Sequence, residues 1–241
     1  MLRNTDWKRT VIWVGIFAIA MGFLEGAVVV YLRKIYYPGG FRFPLVPIDT
    51  SVAMTEVGRE AATLIMLLTI GILAGRSRTQ RFAYFIYSFA IWDIFYYIFL
   101  KILIGWPESL LTWDVLFLIP TTWTGPVIAP IILSLTMIGL ALFIIIAESD
   151  GRKVILAGLP LILLVAGSLI VILAFIRDYS SFMLEHFSFS QLFSLSASKE
   201  LLEAAQQYIP EYFSWWLFLA GILTILAGIY FVYRNNRKVI Q

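Results

Sequence analysis

Cysteine and histidine are almost absent from this chain. It has no cysteine and one histidine, His186, among 241 residues. The lack of cysteine excludes disulfides, iron–sulfur clusters, thiolate-bound zinc and cysteine nucleophiles. A single histidine also excludes a bis-histidine haem and a histidine-rich zinc site. We therefore expect no haem, iron–sulfur or zinc cofactor, and no other cofactor is evident.

Charged residues are also scarce. They make up 14% of the chain, whereas hydrophobic residues make up 61%. Soluble domains are usually about 25% charged and about 45–50% apolar. Because so much apolar surface could not be hidden from water, lipid must be the solvent for much of the chain. The composition predicts an all-α polytopic membrane protein with one integral membrane domain over residues 1–241. The net charge of +3 gives no reason to expect a nucleic-acid partner.

Six apolar stretches are long enough to cross the membrane as helices, which takes about 20 residues. The second is unusual because its uncharged part, residues 61–74, has only 14 residues. To span, it must reach back to about Val52 and so carry Glu56, Arg59 and Glu60 into the membrane. The predicted spans are residues 11–31, 52–74, 82–100, 127–147, 154–176 and 212–233.

Two shorter segments are predicted to lie at the membrane surface. Residues 107–125 predict an interfacial or re-entrant segment, in which Pro107 suits the first turn of a short helix. Residues 198–209 predict a short interfacial helix on the outer side, with Ser198 as its N-cap. Membrane lipids are therefore expected partners of this chain.

The distribution of lysine and arginine predicts the orientation. With six spans, both termini lie on one side, and that side has eleven of these residues against six on the other. Cytoplasmic loops are enriched in lysine and arginine. We therefore expect an integral protein of a plasma or inner membrane with its N- and C-termini in the cytoplasm.

Three predicted spans each carry a carboxylate at a similar depth. Glu25, Glu60 and Asp93 lie about 9, 12 and 10 Å from the outer ends of their spans, at about 1.5 Å rise per residue. Glu56 and Arg59 share one helix face with Glu60 because they are four and one residues before it. A charge at the membrane centre costs about 2.5–3.5 kcal/mol on insertion scales. Such repeated placement predicts either a polar cavity or a salt-bridged core.

The predicted ligand-binding site extends beyond these carboxylates. Tyr97 and Lys101 follow Asp93 at helical spacing, and Asp114 lies beside the membrane edge. Four intramembrane carboxylates face only two cations, so we expect proton uptake, a basic ligand or a hard cation such as Ca²⁺, Mg²⁺ or Mn²⁺. The full candidate set is Glu25, Glu56, Arg59, Glu60, Asp93, Tyr97, Lys101 and Asp114, with Glu25, Glu60 and Asp93 as the metal ligands if a cation binds.

A purely structural role is the alternative for the same charges. Arg59 could pair with Glu56 or Glu60 and hold the bundle together, with Glu25 and Asp93 hydrogen-bonded to tyrosines. Buried ion pairs often serve folding or specificity alone.

Three functions are compatible with this pattern. The first is an outward-facing site that binds a cation, a proton-coupled solute or a lipid head group, as in binding or transport. The second is a non-catalytic subunit of a larger complex, with other membrane subunits as partners. The third is an enzyme acting on a lipid-linked substrate, with Glu60 or Asp93 as general acid or base. No catalytic residue is assigned, because the chain lacks the nucleophile-elbow, zinc-protease and nucleotide-binding motifs.

The absence of cysteine makes the predicted orientation directly testable. In single-cysteine variants, Glu108→Cys should react with a membrane-impermeant maleimide in intact cells, whereas Arg78→Cys should react only after the membrane is permeabilised. The wild-type chain, which has no thiol, is the unlabelled control. The reverse labelling pattern would place the termini outside.

Overall fold

The structure is a computed structural model that describes residues 6–192 and 199–237. Its described part contains six long apolar helices of the length needed to cross a membrane, which confirms the predicted helical bundle. Two helices of seven residues or fewer and one two-stranded sheet complete the described part. The helices are α1 (Asp6–Tyr36), α2 (Thr50–Ala74), α3 (Arg78–Ile104), α4 (Ile128–Ser149), α5 (Leu159–Leu184), α6 (Phe189–Leu192), α7 (Lys199–Ala205) and α8 (Trp215–Arg237), and the strands are β1 (Trp113–Phe117) and β2 (Trp123–Pro126).

Local capping explains where the helices that carry charge begin and end. Asp49 caps the N-terminus of α2 by accepting a hydrogen bond from the Ser51 amide at 2.9 Å. Ser77 caps α3 in the same way, and Gly105 ends α3 in the left-handed conformation at φ 70°. The start of α2 at residue 50 confirms that Glu56, Arg59 and Glu60 belong to a helix long and apolar enough to cross a membrane.

The first helix is longer than predicted. We expected a span that ends near Tyr31, whereas α1 continues to Tyr36. The extra turn makes Arg33 a helical residue rather than a loop residue, and its side chain is buried. Apolar periodicity could not show this extension because the added turn contains two basic residues.

The helices form two packed groups. Helix α3 lies at the centre of one, in contact with α1, α2 and α4. Helices α5 and α8 pack along each other in the second group and meet α4 mainly through α8. By contrast, α1 and α2 touch each other little, although each of them packs against α3. The contact between α1 and α2 is therefore made mainly through α3, which both of them pack against.

Glycine allows α5 and α8 to approach closely. A Cβ atom at Gly167 would lie 2.8 Å from the Gly221 carbonyl oxygen, and one at Gly221 would lie 2.9 Å from the Val171 nitrogen. These separations are shorter than van der Waals contact and involve backbone atoms, which cannot easily move aside. Small residues of this kind are common where membrane helices pack without a hydrophobic driving force.

Residues 107–125 differ from the predicted short helix. Strands β1 and β2 form an antiparallel hairpin, with Asp114 opposite Gly125 and Val115 opposite Thr124. The sequence WDVLF of β1 contains two aromatic residues and the β-branched Val115, and such residues favour a strand. The hairpin packs mainly on α5. Tyr208, between α7 and α8, links the two elements: its hydroxyl contacts Thr124 of β2 at 2.9 Å and donates to Asp178 of α5 at 2.6 Å.

The short helix predicted at 198–209 is present as α7, which ends at Ala205. The proposed cap, Ser198, lies outside the described residues.

The contact between α5 and α8 predicts a stability difference between glycines. Gly167→Ala and Gly221→Ala should each destabilise the bundle by about 1–3 kcal/mol, because the added methyl group overpacks a close helix contact. Gly139→Ala on α4 is the matched control, since nothing lies within 4 Å of its Cβ position. Thermal unfolding in detergent measures the effect, and equal stability of all three variants would contradict the close contact.

Candidate functional site

A cavity of about 330 Å³ lies between α1, α2 and α3. The connection of residues 37–49, the hairpin and α7 also contribute to its wall. Seven of the eight predicted ligand-binding residues line this one cavity, although they come from three helices and a strand. They are Glu25, Glu56, Arg59, Glu60, Asp93, Tyr97 and Asp114.

Lys101 is the predicted site residue that does not reach the cavity. Its ammonium group donates to the carbonyl oxygens of Gly105 at 3.0 Å and Pro107 at 2.8 Å. A lysine in the last turn satisfies carbonyl groups that the helix itself leaves without donors. The position therefore caps α3 and provides no cation for the intramembrane carboxylates.

Arg59 joins the two helices that otherwise touch little. Its guanidinium group pairs with Glu25 on α1 and with Glu56 on its own helix, the latter at 2.7 and 3.0 Å. Thr63 completes this cluster, with its hydroxyl 3.4 Å from Glu25. The predicted pair of Arg59 and Glu56 is therefore present, whereas Glu25, which the structural alternative paired with a tyrosine, pairs with Arg59 instead. A purely structural role for these charges stays a prediction.

Glu60 and Asp93 have no ion-pair partner within the described residues. Glu60 accepts a hydrogen bond from the Leu118 amide at 2.8 Å, and Asp93 accepts one from the Ser134 hydroxyl at 2.8 Å. The expected tyrosine donor to Asp93 is replaced by this serine. Each carboxylate thus has one neutral donor and still lines the cavity. Buried carboxylates in this state favour a proton or a positively charged partner.

The carboxylates are not grouped as a ready-made metal site. Within the described part of the chain, no three histidine, cysteine, aspartate or glutamate side chains are close enough to hold one metal ion. Glu25, Glu60 and Asp93 instead contact three different protein groups. The structure therefore gives the hard-cation hypothesis no preformed ligand set.

Arg33 is a site residue that the sequence analysis missed. Its guanidinium group pairs with Asp114 at 2.9 Å, and only 8% of the side chain is exposed. The guanidinium carbon also lies 3.6 Å from the ring centre of Trp106 and 4.4 Å from that of Phe41, in the range of cation–π attraction. The available signal was spacing: Arg33 follows Glu25 by two four-residue steps, so both lie near one face of α1.

Asp114 is buried, although aspartates at a membrane edge are usually solvated. Only 2% of its side chain is exposed, because β1 directs it into the cavity toward Arg33. This burial raises the pKa of Asp114 to about 6, although the Arg33 guanidinium acts in the opposite direction. Asp114 therefore loses most of its hydration, and the ion pair with Arg33 offsets part of that cost.

Some buried polar atoms at the cavity have no hydrogen-bond partner among the described residues. They include Arg33 Nη1, Asp114 Oδ2 and Trp92 Nε1. An unsatisfied buried polar atom costs about 1–3 kcal/mol, so such atoms concentrated in one cavity favour a polar ligand or ordered water there.

Much of the remaining cavity wall is apolar. It combines aliphatic residues from α1, from the connection between α1 and α2, and from the hairpin, and the cavity is therefore amphipathic. These residues include Val29, Leu32, Leu45, Val46, Ile48 and Leu116.

Comparison with known proteins adds no assignment: no family model, no curated protein and no solved structure matches this chain. The functional argument accordingly depends on the cavity.

The pair between Arg33 and Asp114 predicts strongly non-additive stability effects. Arg33→Met or Asp114→Leu alone should cost about 3–5 kcal/mol, because each leaves one buried charge without its partner. The double variant should lose much less than the sum of the two. Thermal unfolding in detergent provides the double-mutant cycle.

The exposed pair of Arg152 and Asp150, at 3.2 Å, is the matched control. Its Arg152→Ala variant should change stability by less than about 1 kcal/mol. Additive effects at Arg33 and Asp114 would show that the two charges are not coupled.

Proposed function

We propose that this integral membrane protein binds one amphipathic molecule, a lipid or lipid-like compound, in the cavity between α1, α2 and α3. The observation that carries the proposal is the composition of one cavity wall. Charged groups from all three helices and aliphatic side chains line the same space. A ligand with a polar head and an apolar body matches both kinds of surface.

The packing of the helices supports access from the lipid phase. Because α1 and α2 touch little, an acyl chain could extend between them while its head group lies in the cavity. Arg59, which links these helices, keeps 20% of its side chain exposed, and Glu56 keeps 13%. Residues from the connection between α1 and α2 cover the cavity at the end of the bundle that the lysine and arginine distribution assigns to the outside.

The size of the cavity supports a small or partly enclosed ligand. Small-molecule sites usually occupy about 300–1,000 Å³, and this cavity is about 330 Å³. It can enclose a head group and the first carbons of a chain, and the rest of a longer lipid would remain in the membrane.

Catalysis on a lipid-linked substrate is the second candidate. Glu60 and Asp93 face the cavity with one neutral donor each, so either carboxylate could exchange a proton with a bound substrate. Binding comes first because the hydroxyl beside Asp93, that of Ser134, is buried and does not line the cavity, and the described partner of Glu60 is an amide. Transport of the bound molecule, or its presentation to other membrane subunits, would use the same site.

Filling the cavity should remove the bound lipid. Ala53→Trp adds bulk at a buried residue of α2 that lines the cavity, whereas Ala62→Trp adds the same bulk on the exposed face of the helix. Native mass spectrometry of each protein, purified in mild detergent, measures retained lipid. Wild type and Ala62→Trp should keep one lipid per chain, and Ala53→Trp should keep at least tenfold less.

The unfolding temperatures of both variants establish that they are folded. If Ala53→Trp does not fold, Val57→Trp tests the same wall of the cavity. Equal lipid retention by wild type and a folded cavity variant, or a wild-type protein that binds no lipid, would contradict the proposal.

A further inference from the structure

We infer that the molecule bound in this cavity carries an ammonium group beside an oxygen that accepts hydrogen bonds, an inference that rests on the proposed binding function. An ethanolamine phosphodiester has this chemistry.

The charge balance of the cavity favours a positive group. Five carboxylates and two guanidinium groups line it, so the carboxylates exceed the guanidinium groups by three. The charge of each guanidinium group is already balanced by a protein carboxylate, since Arg59 pairs with Glu25 and Glu56 and Arg33 pairs with Asp114 through Nη2. A positive group stabilises Glu60 and Asp93 in their ionised forms, whereas a purely anionic head group would be repelled by those forms and would bind only after both carboxylates take up protons.

Two carboxylates are left for the ammonium group. Glu60 projects from α2 and Asp93 from α3, and both line the cavity. Each accepts one hydrogen bond from a neutral protein donor and so retains acceptor capacity. A primary ammonium group has three donors, so it can bind either of these carboxylates and still donate to another acceptor.

The aromatic wall beside Asp93 supports the same chemistry. Trp92, Tyr96 and Tyr97 line the cavity around it, and the rings of the two tyrosines lie 4.8 Å apart. Aromatic faces attract ammonium groups and reject carboxylates and phosphates. This attraction would add to that of the carboxylates.

The unpartnered atoms around Arg33 require more than a cation. Arg33 Nη1 is a buried donor without an acceptor, and Asp114 Oδ2 is a buried acceptor without a donor among the described residues. The two side chains are 8% and 2% exposed, and both line the cavity. Because neither atom has accessible surface, a ligand would reach them only after the neighbouring side chains shift; its oxygen would then accept a hydrogen bond from the guanidinium, and an N–H or O–H group of the same ligand would donate to the carboxylate.

The test compares ligands that differ in their head groups, with the 241-residue chain in detergent. Phosphatidylethanolamine carries the ammonium group, its N-acetyl derivative has the same chains without the positive charge, and phosphatidylglycerol is anionic. We expect phosphatidylethanolamine to bind at least tenfold more tightly than either, measured by native mass spectrometry and by the rise in unfolding temperature.

Variants of the protein give the matching test. Glu60→Gln together with Asp93→Asn should abolish the preference for phosphatidylethanolamine, whereas Glu108→Gln, at an exposed position outside the cavity, should keep it. Equal binding of the N-acetyl lipid or phosphatidylglycerol to the wild-type protein would overturn the ammonium inference and leave lipid binding intact. This comparison needs no variant, so it holds even if the double variant does not fold.

The remaining outcomes separate this inference from the proposed function. Free phosphoethanolamine that binds as tightly as phosphatidylethanolamine would support the ammonium site but contradict a lipid ligand. Binding of none of the four compounds would overturn both.

Discussion

A charge inside the hydrocarbon of a membrane must be paired, hydrogen-bonded or placed on a polar cavity, and this constraint shapes the half of the bundle formed by α1, α2 and α3. Arg59 satisfies the constraint for two carboxylates and thereby connects α1 to α2, which otherwise contact each other little. Arg33 satisfies it for Asp114 and connects α1 to the hairpin. The same ion pairs that allow these charges to be buried therefore set the position of the cavity walls.

The hairpin of β1 and β2 completes the site because it brings polar groups to helices that cannot supply them. It provides the Asp114 carboxylate for Arg33 and leads to the Leu118 amide that donates to Glu60. Thr124 on β2 contacts Tyr208, whose hydroxyl donates to Asp178 on α5, and this link joins the helix group around α3 to the group of α5 and α8. Non-helical backbone at membrane depth is tolerated where protein covers it and its polar groups are hydrogen-bonded.

Much of the candidate site could be predicted from the sequence, because charged residues are conspicuous in apolar helices. Their depth could be estimated from the helical rise, and seven of the eight proposed residues line one cavity. The sequence analysis included Lys101, which does not line the cavity, and missed Arg33, which does. Both errors have the same local reason. Both lie in the last turns of their helices, where a basic side chain can either cap the helix, as Lys101 does, or turn inward, as Arg33 does. Spacing alone cannot distinguish these two directions.

Composition and apolar run length by themselves determined that this is a six-helix membrane protein with charges in its first three spans, because the membrane requires long apolar helices and makes each charge conspicuous. Only the tertiary structure decided which charges pair. Arg59 pairs with Glu25 of another helix and not with Glu60, its neighbour in the sequence. Asp93 accepts a hydrogen bond from a serine on α4 and not from a tyrosine. Those choices depend on the approach of helices distant in sequence, since a buried ion pair forms only where two side chains meet in three dimensions.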